Sequence, residues 1–199
     1  RGVMKPDYAR AYRQTMGHEG GYVNDPTDRG GETYAGISRK HHPDWPGWAI
    51  VDEVGDKSTL AESADLVPLV RAFYREQYWD KVRGDDLGAH LIATEMFDTA
   101  VNMGPGVAIA ILQQSLNILN RASHLYPDLR TDGKIGRRTL GALATYLETD
   151  KAEILYKVMN IFQGSRYLQI MSANPTQEKY ARGWLERVEF AKRPMAGVE

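Results

Sequence analysis

Apolar residues recur at helical spacing in several segments of the chain, which predicts a mainly α-helical protein. In residues 7–18 the repeat falls at i, i+3, i+4, i+7 and i+8, counted from Tyr8. Gly104-Pro105-Gly106 breaks one helix, and Pro105 can start the next because proline suits a first helical turn. The other predicted helices cover about residues 65–79, 87–103, 151–171 and 176–193.

Residues 20–36 depart from this spacing and hold five glycines. Two short runs, Tyr22-Val23 and Thr33-Tyr34-Ala35, predict the strands of a small β-hairpin around a turn region at 24–31. The predicted fold class is therefore mainly α, with a small β-hairpin.

The region that follows the hairpin, residues 43–57, is rich in turn residues and predicts a loop. Its two tryptophans, Trp45 and Trp48, suit either stacking on a sugar or attachment of the loop to the core, and we favour attachment to the core. His41 and His42 have no third ligand at a zinc spacing, so we expect no metal site.

Glu19 is the first candidate for chemistry, because it lies where the first helix is expected to end. Gly20 and Gly21 are expected to stop that helix, since glycine tolerates the backbone geometry after a helix end. Partial burial and the negative end of the helix dipole would both raise the pKa of Glu19. A raised pKa keeps a carboxylic acid protonated near neutral pH, as a general acid requires. The alternative is that Glu19 only accepts hydrogen bonds from the loop.

The predicted hairpin would bring Asp25, Asp28 and Glu32 within reach of Glu19. Enzymes that cleave glycosidic bonds pair an acid with a second carboxylate, which serves as a base or stabilises the oxocarbenium-like transition state. Each of the three also has a structural reading. Aspartates beside proline or glycine often serve turns, and a glutamate on a hairpin is often solvated.

A polar stripe follows helical spacing in the segment 87–103 and consists of Thr94, Glu95, Asp98 and Asn102. It suits either a solvated helix face or the lining of a cleft. Further along, Asp132-Gly133-Lys134-Ile135-Gly136 resembles the turn of small peptidoglycan-binding modules, although such turn residues are also common before any helix.

Composition narrows the function classes. The net charge is −1 and the basic residues are scattered, so no nucleic-acid-binding stripe is present. The chain has no cysteine, so disulfides contribute nothing. We see no apolar run that predicts a membrane span and no signal-peptide core.

Taken together, these motifs resemble glycoside hydrolase family 108, N-acetylmuramidases of phage and prophage type that are sometimes labelled secretion activator proteins. The N-terminal part of the resemblance rests on His18-Glu19-Gly20-Gly21-Tyr22, Asn24, Pro26, Asp28, Gly30-Gly31, Thr33 and Gly36-Ile37. The later part rests on Tyr78-Trp79, 98–105, Leu112-Gln113, 132–136, Thr139-Leu140 and Gly183-Trp184.

This resemblance implies a lysozyme-like helical fold with Glu19 as the catalytic acid. The order Glu19, Asp28, Thr33 is also similar to that of phage-type lysozymes, with the last gap one residue shorter, so Asp28 and Thr33 are our further catalytic candidates. The residues expected to bind substrate are Tyr22, Glu32, Tyr34, Asp98 and Asn102. We expect a catalytic region over 1–104 and, over 105–199, a helical region that resembles a peptidoglycan-binding subdomain packed on the first.

The implied activity is hydrolysis of the β-1,4 bond between N-acetylmuramic acid and N-acetylglucosamine. A lytic transglycosylase and a non-catalytic wall-binding or secretion-accessory protein remain as alternatives. We expect peptidoglycan as the partner, no cofactor, no nucleic acid, no stable membrane insertion and a monomer. The protein would be made in the cytoplasm without a signal peptide, as in a prophage endolysin, and would act at the periplasm or cell wall after lysis or with a holin or export partner.

Overall fold

A computed structural model describes residues 4–17, 21–24 and 31–188. These residues form eight α-helices and one three-stranded antiparallel sheet with strand order β1-β2-β3. The helices are α1 (Tyr8–Met16), α2 (Gly47–Glu53), α3 (Leu66–Tyr74), α4 (His90–Met103), α5 (Pro105–Leu119), α6 (Arg137–Thr149), α7 (Ala152–Ala173) and α8 (Ala181–Glu186). The strands are β1 (Tyr22–Asn24), β2 (Glu32–Tyr34) and β3 (Ile37–Ser38). The mainly α fold is confirmed, and the predicted hairpin gains a third strand.

The first helix begins as predicted but ends earlier. Asp7 caps it, because its carboxylate accepts a hydrogen bond from the backbone N–H of Arg10 at 2.9 Å. Gly17 ends it with a φ of +56°, and its N–H donates to the Arg13 carbonyl at 3.3 Å. The helix therefore stops at Met16 rather than at residue 18, and Gly17 supplies the stop that we assigned to Gly20 and Gly21.

The predicted loop over 43–57 is wrong in part, because α2 forms inside it. Pro46 precedes the helix with φ −58°, a geometry already suited to a first turn. Trp45 and Trp48 are only 7% and 3% exposed, so both tryptophans attach this region to the core as predicted.

Of the remaining helices, α6 was not predicted, and the others follow the sequence pattern with local differences. The predicted segment 65–79 is helical throughout, but α3 passes into a π-helical turn at Arg75–Trp79. The break between α4 and α5 falls at Gly104, as predicted. The last predicted helix, 176–193, is described only as far as residue 188, and up to there it is instead a 3₁₀ segment at Pro175–Tyr180 followed by α8.

Helix α4 lies at the centre of the molecule and packs against α1, α5 and α7. Its residues Ile92, Met96 and Phe97 are fully buried. Each side chain of this kind contributes about 1.5–3 kcal/mol when it leaves water. One apolar core extends from α1 to α7. The helix that carries the polar stripe, α4, therefore shares a single packed interior with the helices of the C-terminal half.

The connector between α5 and α6 gives a testable stability contrast. Gly133 has a φ of +68°, and a Cβ there would lie 2.6 Å from the backbone oxygen of Gly106. Gly133→Ala should therefore destabilise the protein by about 2–4 kcal/mol, from left-handed strain and the clash with backbone. Gly141, in the interior of α6, has open space around it, and Gly141→Ala should stabilise by about 0.5–1 kcal/mol. Urea unfolding of both variants measures the contrast, and equal stabilities would contradict it.

Candidate active site

The two leading catalytic candidates, Glu19 and Asp28, lie outside the described residues. The same holds for Asp25. The described chain reaches Gly17 on one side of Glu19 and resumes at Gly21 on the other. The geometry of the site is therefore built from its walls: the sheet, the end of α1, and the helices beside it.

The sheet sorts the hairpin candidates onto two faces. Tyr22 pairs with Tyr34 and Asn24 pairs with Glu32, so these four residues share one face. Thr33 pairs with Val23 and lies on the opposite face. The sheet thus brings Tyr22, Glu32 and Tyr34 together and separates Thr33 from them.

Glu32 accepts two hydrogen bonds through its carboxylate. The hydroxyl of Tyr22 donates at 3.0 Å and Nη1 of Arg39 donates at 3.0 Å. Arg39 also forms a bidentate pair with Asp52, at 2.7 and 2.5 Å, and lies over the ring of Trp48. Glu32 is therefore part of an ion-pair network that links the sheet to α2, which is a poor setting for a proton donor.

Tyr34 belongs to the core. Its ring is stacked against Trp45 at 6.0 Å between centroids, and its hydroxyl donates to the carbonyl of Leu60 at 2.8 Å. Only 5% of the residue is exposed, and this burial raises the pKa of its hydroxyl. Tyr34 thus presents little surface to a substrate, whereas Tyr22 is half-buried at the end of its strand.

A cavity of about 1080 Å³ lies between α1, α4 and the N-terminal end of α7. Its walls include Thr15 of α1, four residues before Glu19 in the sequence. They also include Thr94, Glu95 and Asp98, which are three members of the polar stripe on α4. The stripe is therefore a cavity wall along this length of α4 rather than a solvated face.

Asp98 is the best-defined acid of this wall. Nη1 of Arg187 lies 3.3 Å from its Oδ1, and 19% of its side chain is exposed. Burial raises the pKa of Asp98, although Arg187 and hydrogen bonds from Gln163 and Asn102 act in the opposite direction. Asp98 is thus a carboxyl group that the protein holds closer to neutrality than a surface aspartate.

Asn102, the last member of the stripe, has a different environment. It is exposed, and its Nδ2 donates to the backbone carbonyl of Asp98 at 2.7 Å. The bond satisfies a carbonyl in the last turn of α4. Asn102 is not among the described residues that line the cavity.

Glu95 belongs to the polar stripe but was not named from the sequence as a candidate site residue. It is 6% exposed, it lines the cavity, and the Thr99 hydroxyl donates to its Oε1 at 3.4 Å. The helical spacing to Asp98 was the available signal. Its burial was not predictable, because it depends on the packing of α7 against α4.

Buried polar atoms without a hydrogen-bond partner concentrate around this acid pair. Among the described residues they are Thr15 Oγ1, Gln163 Oε1 and the Tyr167 hydroxyl. Gln163 donates a hydrogen bond to the Thr99 hydroxyl. Burial, and to a smaller extent the nearby charge of Asp98, raise the pKa of Tyr167 to about 12. Buried polar atoms are normally satisfied by protein, water or ligand, and of these three residues Thr15 lines the cavity.

The part of the chain that the structure describes holds neither a candidate metal site nor a candidate membrane-spanning helix. No three His, Cys, Asp or Glu residues there lie together in a way that could hold a metal ion. No helix there is both long and apolar enough to cross a membrane.

The fold and the cavity define a helical domain with carboxyl groups on the wall of a large cleft, continuous with a second helical region. Family models match both parts: residues 12–104 match the family described as "Glycosyl hydrolase 108", and residues 107–189 match a "Predicted Peptidoglycan domain". The N-terminal part of the chain, residues 12–104, is thus similar to the glycosyl hydrolase 108 family. The two matches meet at the break between α4 and α5.

Among solved structures, the chain is similar to one titled "Structure of Brucella abortus SagA". The two are 27% identical, with a TM-score of 0.61, over 91% of this chain and 88% of that one. No curated protein sequence matches the chain. The likeness spans both matched regions, so SagA is similar to this chain beyond the hydrolase part alone.

Proposed function

We propose that the protein is an N-acetylmuramidase that hydrolyses the β-1,4 bond between N-acetylmuramic acid and N-acetylglucosamine in peptidoglycan. The observation that carries the proposal is the glycosyl hydrolase 108 match over residues 12–104, followed directly by a peptidoglycan domain. The acid-lined cavity beside α1 supports it, because sugar hydroxyls and amides need a wall of hydrogen-bonding groups.

Glu19 is the proposed general acid, which protonates the glycosidic oxygen as the bond to the leaving sugar breaks. It follows the C-terminal end of α1, where the helix dipole disfavours a negative charge and so favours the protonated acid. Thr15, on the last turn of the same helix, lines the cavity. The sugar chain would therefore approach Glu19 along the wall formed by α1 and α4.

The second polar group of the reaction would position water or stabilise the developing positive charge on the sugar. Asp28 is the proposed residue, with Glu32 second, and Thr33 would help to place water. The ion pair of Glu32 with Arg39 favours Asp28 over Glu32, because Glu32 already serves the sheet. Asp98 would bind substrate from the α4 wall of the cavity, where its carboxyl can accept a hydrogen bond from a sugar hydroxyl or amide.

Mass spectrometry of digested sacculi, run without prior reduction, tests both the bond and the mechanism. Hydrolysis by water should leave fragments that end in reducing N-acetylmuramic acid. Fragments about 18 mass units lighter, with a 1,6-anhydro end, would replace the proposal with a lytic transglycosylase, in which the substrate's own hydroxyl attacks. Reducing N-acetylglucosamine ends would mean that the other bond is cut.

A folded protein that binds sacculi but releases no fragments would instead be a wall-binding or secretion-accessory protein. Action at the wall also requires passage out of the cytoplasm, for which we propose lysis or a holin or export partner. Fractionation of producing cells, with and without a holin, measures that step separately from the chemistry.

A further inference from the structure

A second cavity, of about 470 Å³, lies beside the connector between α5 and α6. Four basic residues line it, and all four are exposed: Arg130, Lys134, Arg137 and Arg138. In the described part of the chain, none of the four has a carboxylate within ion-pair distance, whereas five other arginines do. Within that part of the chain the cavity therefore gathers cations without an ion-pair partner, although Arg130 lies near enough to Asp132 to help lower its pKa.

The two carboxylates of the same cavity are engaged within the connector. Oδ1 of Asp132 accepts from Nε2 of Gln113 at 3.2 Å and from the Lys134 N–H at 3.0 Å, and these bonds lower the pKa of Asp132. Asp128 accepts hydrogen bonds from Asn120 and Ser123. Both acids thus shape the loop, and the cations outnumber them.

Two buried or half-buried amides of α5 hold the connector in place. Gln113 is 2% exposed; its Nε2 also donates to the Lys134 carbonyl at 3.0 Å, and its Oε1 accepts from the Gly133 N–H at 3.0 Å. One turn later, Asn117 forms a reciprocal pair with the backbone of Leu129, at 2.8 and 2.7 Å. Arg130 and Lys134 therefore project from a loop that is already ordered, and Arg137 and Arg138 project from the first turn of α6, so binding costs little conformational entropy.

We propose that this cavity binds the free carboxylates of peptidoglycan stem peptides. The inference rests on the proposed function in one respect, that peptidoglycan is the polymer engaged, but it does not require cleavage. Arginine forms paired hydrogen bonds with a planar carboxylate, and three of the four cations are arginines. The first turn of α6, which has no side-chain cap at Gly136, adds the positive end of a helix to the same wall.

Stem peptides suit this cavity better than the bare glycan strand. In the intact wall the glycan presents hydroxyls and acetamides, because the lactyl carboxyl of N-acetylmuramic acid is in amide linkage to the stem peptide. Such groups need neutral hydrogen-bonding partners and aromatic faces rather than clustered cations. The cavity has the volume for a short peptide segment, since sites for small ligands commonly measure about 300–1,000 Å³. This site would hold the wall while the strand lies in the cleft beside α1.

The test compares binding of the full-length protein to purified sacculi from a wall without teichoic acid, in a Glu19→Gln background. Arg137→Glu combined with Arg138→Glu should weaken binding about tenfold or more at low ionic strength, equivalent to about 1.4 kcal/mol. The effect should shrink in high salt, because exposed charges are screened. Arg166→Glu combined with Arg182→Glu makes the same change in net charge at exposed positions away from the cavity, and should leave binding unchanged.

Amidation of the free stem-peptide carboxylates in the sacculi should release the protein, and a soluble tetrapeptide with free carboxylates should compete where its amidated form does not. Equal loss in both double variants, or undiminished binding to the amidated sacculi, would overturn the proposal. Competition by inorganic phosphate but not by the peptide would indicate an anion site of another kind and would also overturn it. Thermal melts exclude unfolding. The readout is binding, so a failure of hydrolysis in the mass spectra leaves this result intact.

Discussion

Glu19→Gln is expected to fold like the parent protein and to lose about 10²–10⁴-fold in the rate of peptidoglycan cleavage, the usual effect of removing a general acid. Glutamine keeps the size and much of the hydrogen bonding of glutamate, but it cannot donate the proton that the leaving oxygen needs. The α1 helix ends at Met16, so the unsatisfied carbonyls of its last turn precede Glu19 closely in the chain. Clearance of a suspension of sacculi measures the rate, and a thermal melt measures the fold.

A matched control makes that result specific. Glu53→Gln applies the same chemical change to an exposed acid at the end of α2 and should leave the rate of cleavage unchanged. If Glu19→Gln cleaves sacculi as fast as the parent while both melt alike, Glu19 is a structural residue and the acid must be sought elsewhere. Asp98 and Glu95 would then be the first alternatives, because both line the main cavity and Asp98 has a raised pKa.

The parts of the fold that follow from local chemistry were predictable from the sequence. Asp7 caps α1, the apolar repeat from Tyr8 buries Ala11 and Met16, and Gly104-Pro105 separates two helices. Each depends on residues within a turn or two of one another. The α2 helix was missed because Pro46 and Gly47 are typical of loops. Its tryptophans were expected to attach the stretch to the core, but the helical geometry depends on packing in the folded protein, such as Trp45 against Tyr34 and Trp48.

The site was less predictable, because its walls come from distant parts of the chain. Thr15, Asp98 and Arg187 meet at one cavity although more than 80 residues separate each from the next. Spacing on α4 identified a polar stripe but not its burial, which depends on Gln163 and Tyr167 of α7. Likewise, no local pattern links Glu32 to Arg39 and then to Asp52; the turn into β3 brings Arg39 back against the strand.

The second carboxylate was left by the sequence between Asp28, Glu32 and Asp25, and of these three the structure describes Glu32. Asp28→Asn is expected to lower the rate of cleavage about 10²-fold or more, because a water or a developing cation would lose its charged partner, and to leave stability unchanged. Glu32→Gln is expected to act differently. It weakens an ion pair with Arg39 and a hydrogen bond from Tyr22, so it should cost about 1 kcal/mol of stability with a small loss of rate.

Each variant therefore needs a rate on sacculi and a urea unfolding curve, because the ratio of the two effects separates a catalytic carboxylate from a structural one. Asp98→Asn belongs in the same series, since Asp98 is an acid at the main cavity with a partner, Arg187, that holds it in place. If Asp28→Asn cleaves at the parent rate, Asp28 is not the partner of Glu19. A large loss in Asp98→Asn would then move the second carboxylate from the hairpin to α4, and a large loss in Glu32→Gln with unchanged stability would move it to β2.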